Sequence, residues 1–165
     1  MHNAQEVLAM RPISVLSGLG LVLVLALPVA AGGNPGTVSQ TQTWKNLSET
    51  QPSINPCTGN PGLVSLVSNG VMHVTFFSNS DEYWFTITDT SDFTFSEAGV
   101  TYTGHATFWA NSNWNERNQN STLTFDAHGV GSDGSRVSLS EKAHFTLNAN
   151  GVVTVSFDVA GGSCR

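Results

Sequence analysis

The feature that most restricts the fold of this chain is an alternation of apolar and polar side chains between Arg136 and Arg165. Apolar residues occupy every second position from Val137 to Leu147, interrupted only by Glu141, and the pattern resumes from Val153 to Val159 after the turn residues Ala149-Asn150-Gly151. A period of two is typical of strands that bury one face. The segment is therefore predicted to form an antiparallel β-hairpin.

Two registers are open to this hairpin. A two-residue turn would pair Phe145 with Ser156 and would expose the apolar side of one strand. A three-residue loop with glycine in the left-handed conformation would pair Phe145 with Val155 and Lys142 with Asp158. The second register is predicted, because it keeps the apolar residues on one face and places opposite charges across from each other, worth up to about 1 kcal/mol.

Shorter apolar segments of the same kind fill the chain from residue 43 onward, separated by turn residues such as Ser68-Asn69-Gly70. None of them has helical periodicity with capping residues. About eight strands are predicted, at 43–50, 63–67, 71–77, 83–95, 100–109, 121–130, 136–147 and 153–159.

Eight hairpin-linked strands must bury their apolar faces either in an up-and-down barrel or between two stacked sheets. Gly104, Gly129 and a bend near Ser91 lie inside predicted strands, where barrels place sharp curvature. An all-β fold is therefore predicted, as an up-and-down antiparallel barrel, with a β-sandwich as the alternative.

The first 31 residues have the pattern of a signal peptide. The apolar run from Ile13 to Leu27 is followed by Pro28-Val29-Ala30-Ala31, small residues that suit cleavage after Ala31. Arg11 precedes the run, and Met10 is an alternative start. A retained anchor is the other interpretation, although the run is shorter than the roughly 20 residues that a membrane span needs.

The expected organisation is a signal peptide (1–31), a flexible leader (32–42) and one all-β domain (43–165), with no membrane span after cleavage. The protein is expected outside the cell or in the cell envelope.

Cys57 and Cys164 are the two cysteines of the chain. In an exported protein an even pair predicts a disulfide, here between the start and the end of the domain. Closing a loop of about 100 residues is worth at most roughly 4 to 5 kcal/mol. Free thiols or a metal site are the alternative, but the cysteines lack neighbouring histidines at ligand spacing.

The chain carries 6 Lys and Arg against 12 Asp and Glu, a net charge of −6. Binding to nucleic acid or to an anionic membrane requires clustered basic residues, so both are disfavoured as partners. A small molecule, a glycan or a protein remains as the partner.

Four segments together span most of the domain: NPCTG, TYTGHATFW, GVGSDGSR and NANGVVTVSF followed by a terminal Cys. They resemble segments of a group of small exported bacterial proteins for which no activity is established. The resemblance implies a secreted single-domain protein and no mechanism.

Four histidines lie within predicted strands: His73, His105, His128 and His144. Imidazoles that converge from neighbouring strands are common metal ligands. His105 and His144 are the only pair expected to approach each other across one strand, and no third ligand is evident. No metal site and no cofactor are therefore predicted.

Catalytic signatures are also missing. The sequence has no G-x-S-x-G elbow, no H-E-x-x-H and no glycine-rich phosphate loop, and its acids cluster at predicted turns. No catalytic residue is assigned, and an enzyme is the less favoured class.

Trp109 precedes the longest predicted loop, 110–120, and Trp114 lies within this loop, which is rich in asparagine. Aromatic faces with amide and guanidinium donors suit sugars and polar small molecules, although one buried Trp in a solvated loop would give the same pattern. The candidate ligand-binding residues are Tyr102, Trp109, Asn111, Trp114, Glu116 and Arg117.

The barrel interior is the alternative ligand site. Its predicted lining is Tyr102, Phe108, Phe125, Phe145 and Phe157. The sequence thus favours an exported, disulfide-closed domain that binds a small molecule, sugar or protein, over a cell-envelope interaction protein working through its edge or outer face.

Overall fold

The computed structural model describes residues 36–78, 82–115 and 117–165. These residues form seven strands: β1 (Thr37–Ile54), β2 (Pro61–Phe77), β3 (Glu82–Glu97), β4 (Val100–Trp114), β5 (Asn118–Gly131), β6 (Arg136–Asn148) and β7 (Val153–Cys164). The predicted signal peptide lies outside the described residues. Since β1 begins at Thr37, positions 37–42 of the predicted leader belong to a strand.

All seven strands join one antiparallel sheet in the order of the sequence, and each pairs only with its sequence neighbours. The predicted all-β, up-and-down arrangement is confirmed. The predicted closure into a barrel is wrong, because β1 and β7 are the two free edges of the sheet.

The strand number differs from the prediction because Ser68-Asn69-Gly70 lies inside β2 rather than in a turn. Asn69 stands opposite a bulge in β1 between Trp44 and Leu47. The backbone N–H of Asn46, a bulge residue with φ of 54°, donates to Asn69 Oδ1 at 3.0 Å. Turn-forming residues therefore stabilise a bulge here, and the two predicted strands are one.

Gly104 and Gly129 stand directly opposite each other in β4 and β5. A Cβ on Gly104 would collide with the carbonyl oxygen of His128, and one on Gly129 would collide with the ring of Phe93. Only glycine allows this close approach of the strands. Two positions along, the next row on the same face is also built of small residues, Ser91, Ala106 and Ala127.

The sheet has a concave face, which carries the core. Met72, Val74 and Ile87 are buried there, and Trp44, Phe85, Phe108 and Ala110 pack against them. Burying one such aliphatic side chain contributes about 1.5 to 3 kcal/mol. The opposite, convex face is rich in threonine, serine and asparagine.

The β6–β7 hairpin has the predicted three-residue loop, with Gly151 at φ 71° and Leu147 opposite Val153. The predicted register beyond it is wrong, because a bulge next to Leu147 shifts the pairing by one residue. Phe145 consequently faces Ser156, and Lys142 faces Val159.

The shift sends the apolar residues of β7 to the convex face. A one-residue slip moves every side chain of a strand to the other side of the sheet. Val155, Phe157 and Val159 are each about half exposed or more, at 51%, 49% and 63%.

The predicted disulfide is confirmed. Cys57 in the β1–β2 turn bonds Cys164 at the end of β7, with their Cα atoms 5.8 Å apart. This distance lies in the usual range for a disulfide. The bond joins the two edges of the open sheet at one end, which we call the base.

Candidate ligand-binding cavity

A cavity of about 530 Å³ lies on the concave face, lined by side chains from β1 to β6. Most of its wall is apolar: Val64, Leu66, Met72, Phe85, Ile87, Phe93, Phe95, Tyr102, Ala106, Phe108, Phe125, Ala127, Val137 and Leu139. Its volume lies within the range of about 300 to 1,000 Å³ that is usual for small-molecule sites.

Six aromatic rings line the cavity, because β3, β4 and β5 place them on the same face. Phe108 stands directly opposite Phe125, and Phe95 directly opposite Tyr102. The rings of Phe95 and Tyr102 are tilted by 45° with centroids 6.3 Å apart. Such rings provide planar apolar contact surface for a ligand.

Two carboxylates line the cavity, Glu49 and Asp89. Asp89 accepts a hydrogen bond from Nε1 of Trp44 at 2.7 Å, and the same indole lies 3.1 Å from the hydroxyl of Ser68. These contacts fix the indole against β2 and β3 and leave Asp89 at the cavity wall.

Glu141 lies beside the cavity on β6, directly opposite Phe125. Burial raises the pKa of its carboxyl group, and the negative charge of Asp158 raises this pKa further. The charged form of Glu141 is thus disfavoured in the folded protein.

The base of the cavity is closed by a polar cluster around Glu97, which is buried. Its carboxylate accepts hydrogen bonds from the side-chain amide of Asn55 and from the hydroxyl of Thr58, the latter at 2.9 Å. These bonds hold the β1–β2 turn, which carries Cys57, against the end of β3.

An aromatic row forms the rim of the concave face at the end opposite the disulfide. Phe76, Tyr83 and Trp114 occupy facing positions on β2, β3 and β4. Tyr83 and Trp114 are stacked at 5.8 Å, and Phe76 and Tyr83 lie 6.3 Å apart. Phe76 and Trp114 remain 41% and 38% exposed, so a ligand entering from this end would meet their rings.

The residues proposed from the sequence as a loop site do not share one surface. Strands β4 and β5 extend through most of the predicted loop. Tyr102 lines the cavity near its base, whereas Trp114 lies at the rim, twelve residues or about 40 Å along the same strand.

The other members of this set lie elsewhere. Trp109 and Asn111 alternate with the cavity residue Phe108 and so project from the convex face, Arg117 is exposed in the β4–β5 turn, and Glu116 falls outside the described residues.

The predicted interior lining is correct in part. Tyr102, Phe108 and Phe125 line the cavity. Phe145 lies on the same face nearer the rim and is 37% exposed. The placement of Phe157 is wrong, because the β7 bulge turns its ring outward, where it stacks on His144 at 5.6 Å.

Sequence reasoning missed Phe85, Ile87, Phe93 and Phe95 as cavity residues. The sequence contains a signal for them, since these four residues alternate with more polar residues along β3 and therefore all lie on its inward side.

His105 and His144, the pair expected from the sequence to approach each other, do not lie close together. His105 stands opposite His128 and contacts the carboxylate of Asp92. His144 lies six residues further along the sheet, where Nδ1 is 2.8 Å from the hydroxyl of Thr122. In the part of the chain that the structure describes, no three potential ligands converge on one point.

A second, more open groove of about 800 Å³ runs over the convex face near the base. It is lined by His105, His128, Arg136 and Arg165, together with Asp92. Both His105 and Asp92 are largely solvent-exposed, at 84% and 73%.

Comparison with protein-family models, with curated proteins and with solved structures gave no match. Across the described residues, no helix has the length and apolar character needed to cross a membrane.

Proposed function

We propose that this protein binds a small, mainly apolar molecule in the cavity of the concave face. The observation that carries the proposal is the unfilled space of about 530 Å³ inside a wall of aromatic and aliphatic side chains. A concave apolar space of this size is typical of sites that hold one small ligand. The proposed routes by which a ligand enters are the gap between the unpaired edge strands β1 and β7 and the aromatic rim.

A fluorescence titration with the neutral apolar probe N-phenylnaphthylamine tests this proposal. Saturable binding to the disulfide-bonded protein is expected. Ala106 is 7% exposed and faces the cavity, so Ala106→Leu places extra carbons in it. We expect this substitution to weaken probe binding by at least about tenfold, at a stability cost of about 1 to 3 kcal/mol.

Thr88→Leu is the matched control, because Thr88 is exposed on the convex side of β3. This variant should bind the probe like the unchanged protein. Circular dichroism establishes that both variants are folded. Absence of saturable binding, or equal affinity of the Ala106→Leu protein, would contradict the proposal.

We also propose that the chain is exported. The Cys57–Cys164 disulfide supports this, since such bonds persist in oxidising compartments, and so does the signal-like segment 1–31. The resemblance to small exported bacterial proteins agrees with it. Amino-terminal sequencing of the extracellular or envelope fraction should show cleavage after Ala31.

Strand β7 favours a second candidate function, a protein that assembles through its sheet edge. All twelve residues of β7 are exposed, and within the described part of the chain no strand pairs with its outer side. An exposed edge strand with apolar side chains is a template for pairing with another chain. In this role the protein would interact within the cell envelope, and its oligomeric state is the test.

A further inference from the structure

Basic and acidic side chains are distributed differently over the two faces: the described strands carry acids on both, with Asp92 and Asp126 on the convex one. Five acidic residues lie on the concave side: Glu49, Asp89, Glu97, Glu141 and Asp158. Among the described strand positions of that side, none carries Lys, Arg or His. The four strand histidines and Lys142 alternate with the concave residues and so project from the convex side.

Two of these carboxylates flank the central aromatic pair of the cavity. Asp89, Phe108, Phe125 and Glu141 are consecutive partners across β3, β4, β5 and β6. Directly paired residues of neighbouring strands point to the same face. With about 4.8 Å between strands, each carboxylate stands beside one of the phenyl rings.

The carboxylates differ in the hydrogen bonds that they accept from other side chains of the protein. Asp89 accepts the Trp44 indole N–H, and Glu97 is held by the β1–β2 turn. Among the described residues, Glu141 has no side-chain hydrogen bond or ion pair, and the charged group that acts on its pKa, Asp158, is also acidic. Its negative charge is therefore left for a ligand to compensate.

We propose that the ligand is an amphiphilic cation, an apolar body with an amine or quaternary ammonium group, whose charge sits over Phe108 and Phe125 beside Glu141. This assignment rests on the proposed ligand-binding function. The faces of aromatic rings attract cations, and a carboxylate at the edge of an apolar site strengthens that attraction. An anionic ligand would meet only like charges there.

Displacement of N-phenylnaphthylamine by three competitors with the same ten-carbon chain tests the charge preference. The competitors are decyltrimethylammonium, decanol and decanoate, each used below its micelle-forming concentration. We expect the cation to compete at least about tenfold more strongly than decanoate, with decanol between them.

The Glu141→Gln variant tests whether the Glu141 carboxylate causes the preference for a cationic competitor. It should lower competition by decyltrimethylammonium about fivefold and leave that of decanol unchanged. Asp126→Asn is the matched control, since Asp126 lies next to Phe125 in β5 and projects from the other face.

The outcomes separate the two proposals. Failure of the probe itself to bind overturns the ligand-binding function and this inference together. Probe binding with equal competition by all three compounds leaves the cavity site standing and overturns the cationic ligand. An unchanged preference in the Glu141→Gln protein overturns the role of Glu141.

Discussion

At the scale of single residues, the alternation of inward and outward positions along the strands determines which side chains line the cavity. The inward positions of β3 and β4 include Phe85, Ile87 and Phe108, and each of them alternates with a polar outward residue. This alternation is visible in the sequence. The hydrogen bond between Trp44 and Asp89 is not visible there, because it joins residues 45 positions apart.

Glu141 provides a prediction about stability and pH. Its folded pKa lies above the ordinary value of 4.5. The folded state therefore holds the proton more tightly than the unfolded chain, so the unfolding free energy falls as the pH rises from the ordinary value through the raised one. Glu141→Gln removes this loss.

Urea denaturation of both proteins at a series of pH values checks this prediction. The Glu141→Gln protein should gain stability relative to the unchanged protein as the pH rises from acid to neutral. Asp126→Asn serves as the control from the opposite face. A difference between the Glu141→Gln and unchanged proteins that stays constant over this pH range would rule out the proposed cause.

At the scale of elements, the β6–β7 hairpin shows how far a local pattern determines structure. Asn150-Gly151 marked the turn, and the three-residue loop with a left-handed Gly151 forms as predicted. The adjoining bulge carries no sequence signal, because Thr154 suits a regular strand as well as a bulge. One extra residue was enough to reverse the predicted inward side of β7.

The reversed strand leads to a prediction about self-association. Phe157 is exposed on the unpaired edge strand, and a lysine at an edge opposes pairing between sheets. If β7 mediates assembly, the unchanged protein should form dimers or larger species as its concentration rises. Phe157→Lys should shift this equilibrium toward the monomer by at least about tenfold.

Analytical ultracentrifugation at several concentrations measures this shift. Val130→Lys is the control, since Val130 is exposed to a similar extent, 50%, but lies on the internal strand β5. A monomer at all concentrations would contradict assembly through β7, and so would an equal effect of the two substitutions.

At the scale of the whole molecule, the odd number of strands disfavours closure of the sheet. Seven strands in an up-and-down order leave β1 and β7 running in the same direction, so direct closure would require a parallel pair. The sequence predicted eight strands because Ser68-Asn69-Gly70 has the composition of a hairpin turn. Its true role depends on the bulge in β1, which sequence patterns did not reveal.

The disulfide replaces strand pairing as the link between the two edges. Cys57 and Cys164 are separated by 107 residues, and their bond holds the end of β7 to the β1–β2 turn at the base of the cavity. Replacing both cysteines with serine should lower the unfolding free energy by about 3 to 5 kcal/mol. It should also weaken binding of N-phenylnaphthylamine, because the edges of the cavity are then free to separate.

Urea denaturation and probe titration, each with and without a reductant, measure the two effects. The reduced form of the unchanged protein should behave like the double serine variant, and the reductant should leave that variant unaffected. Lower stability with unchanged probe affinity would show that the disulfide stabilises the sheet without shaping the cavity. The apolar wall contributed by β2 to β5 would then be sufficient for binding.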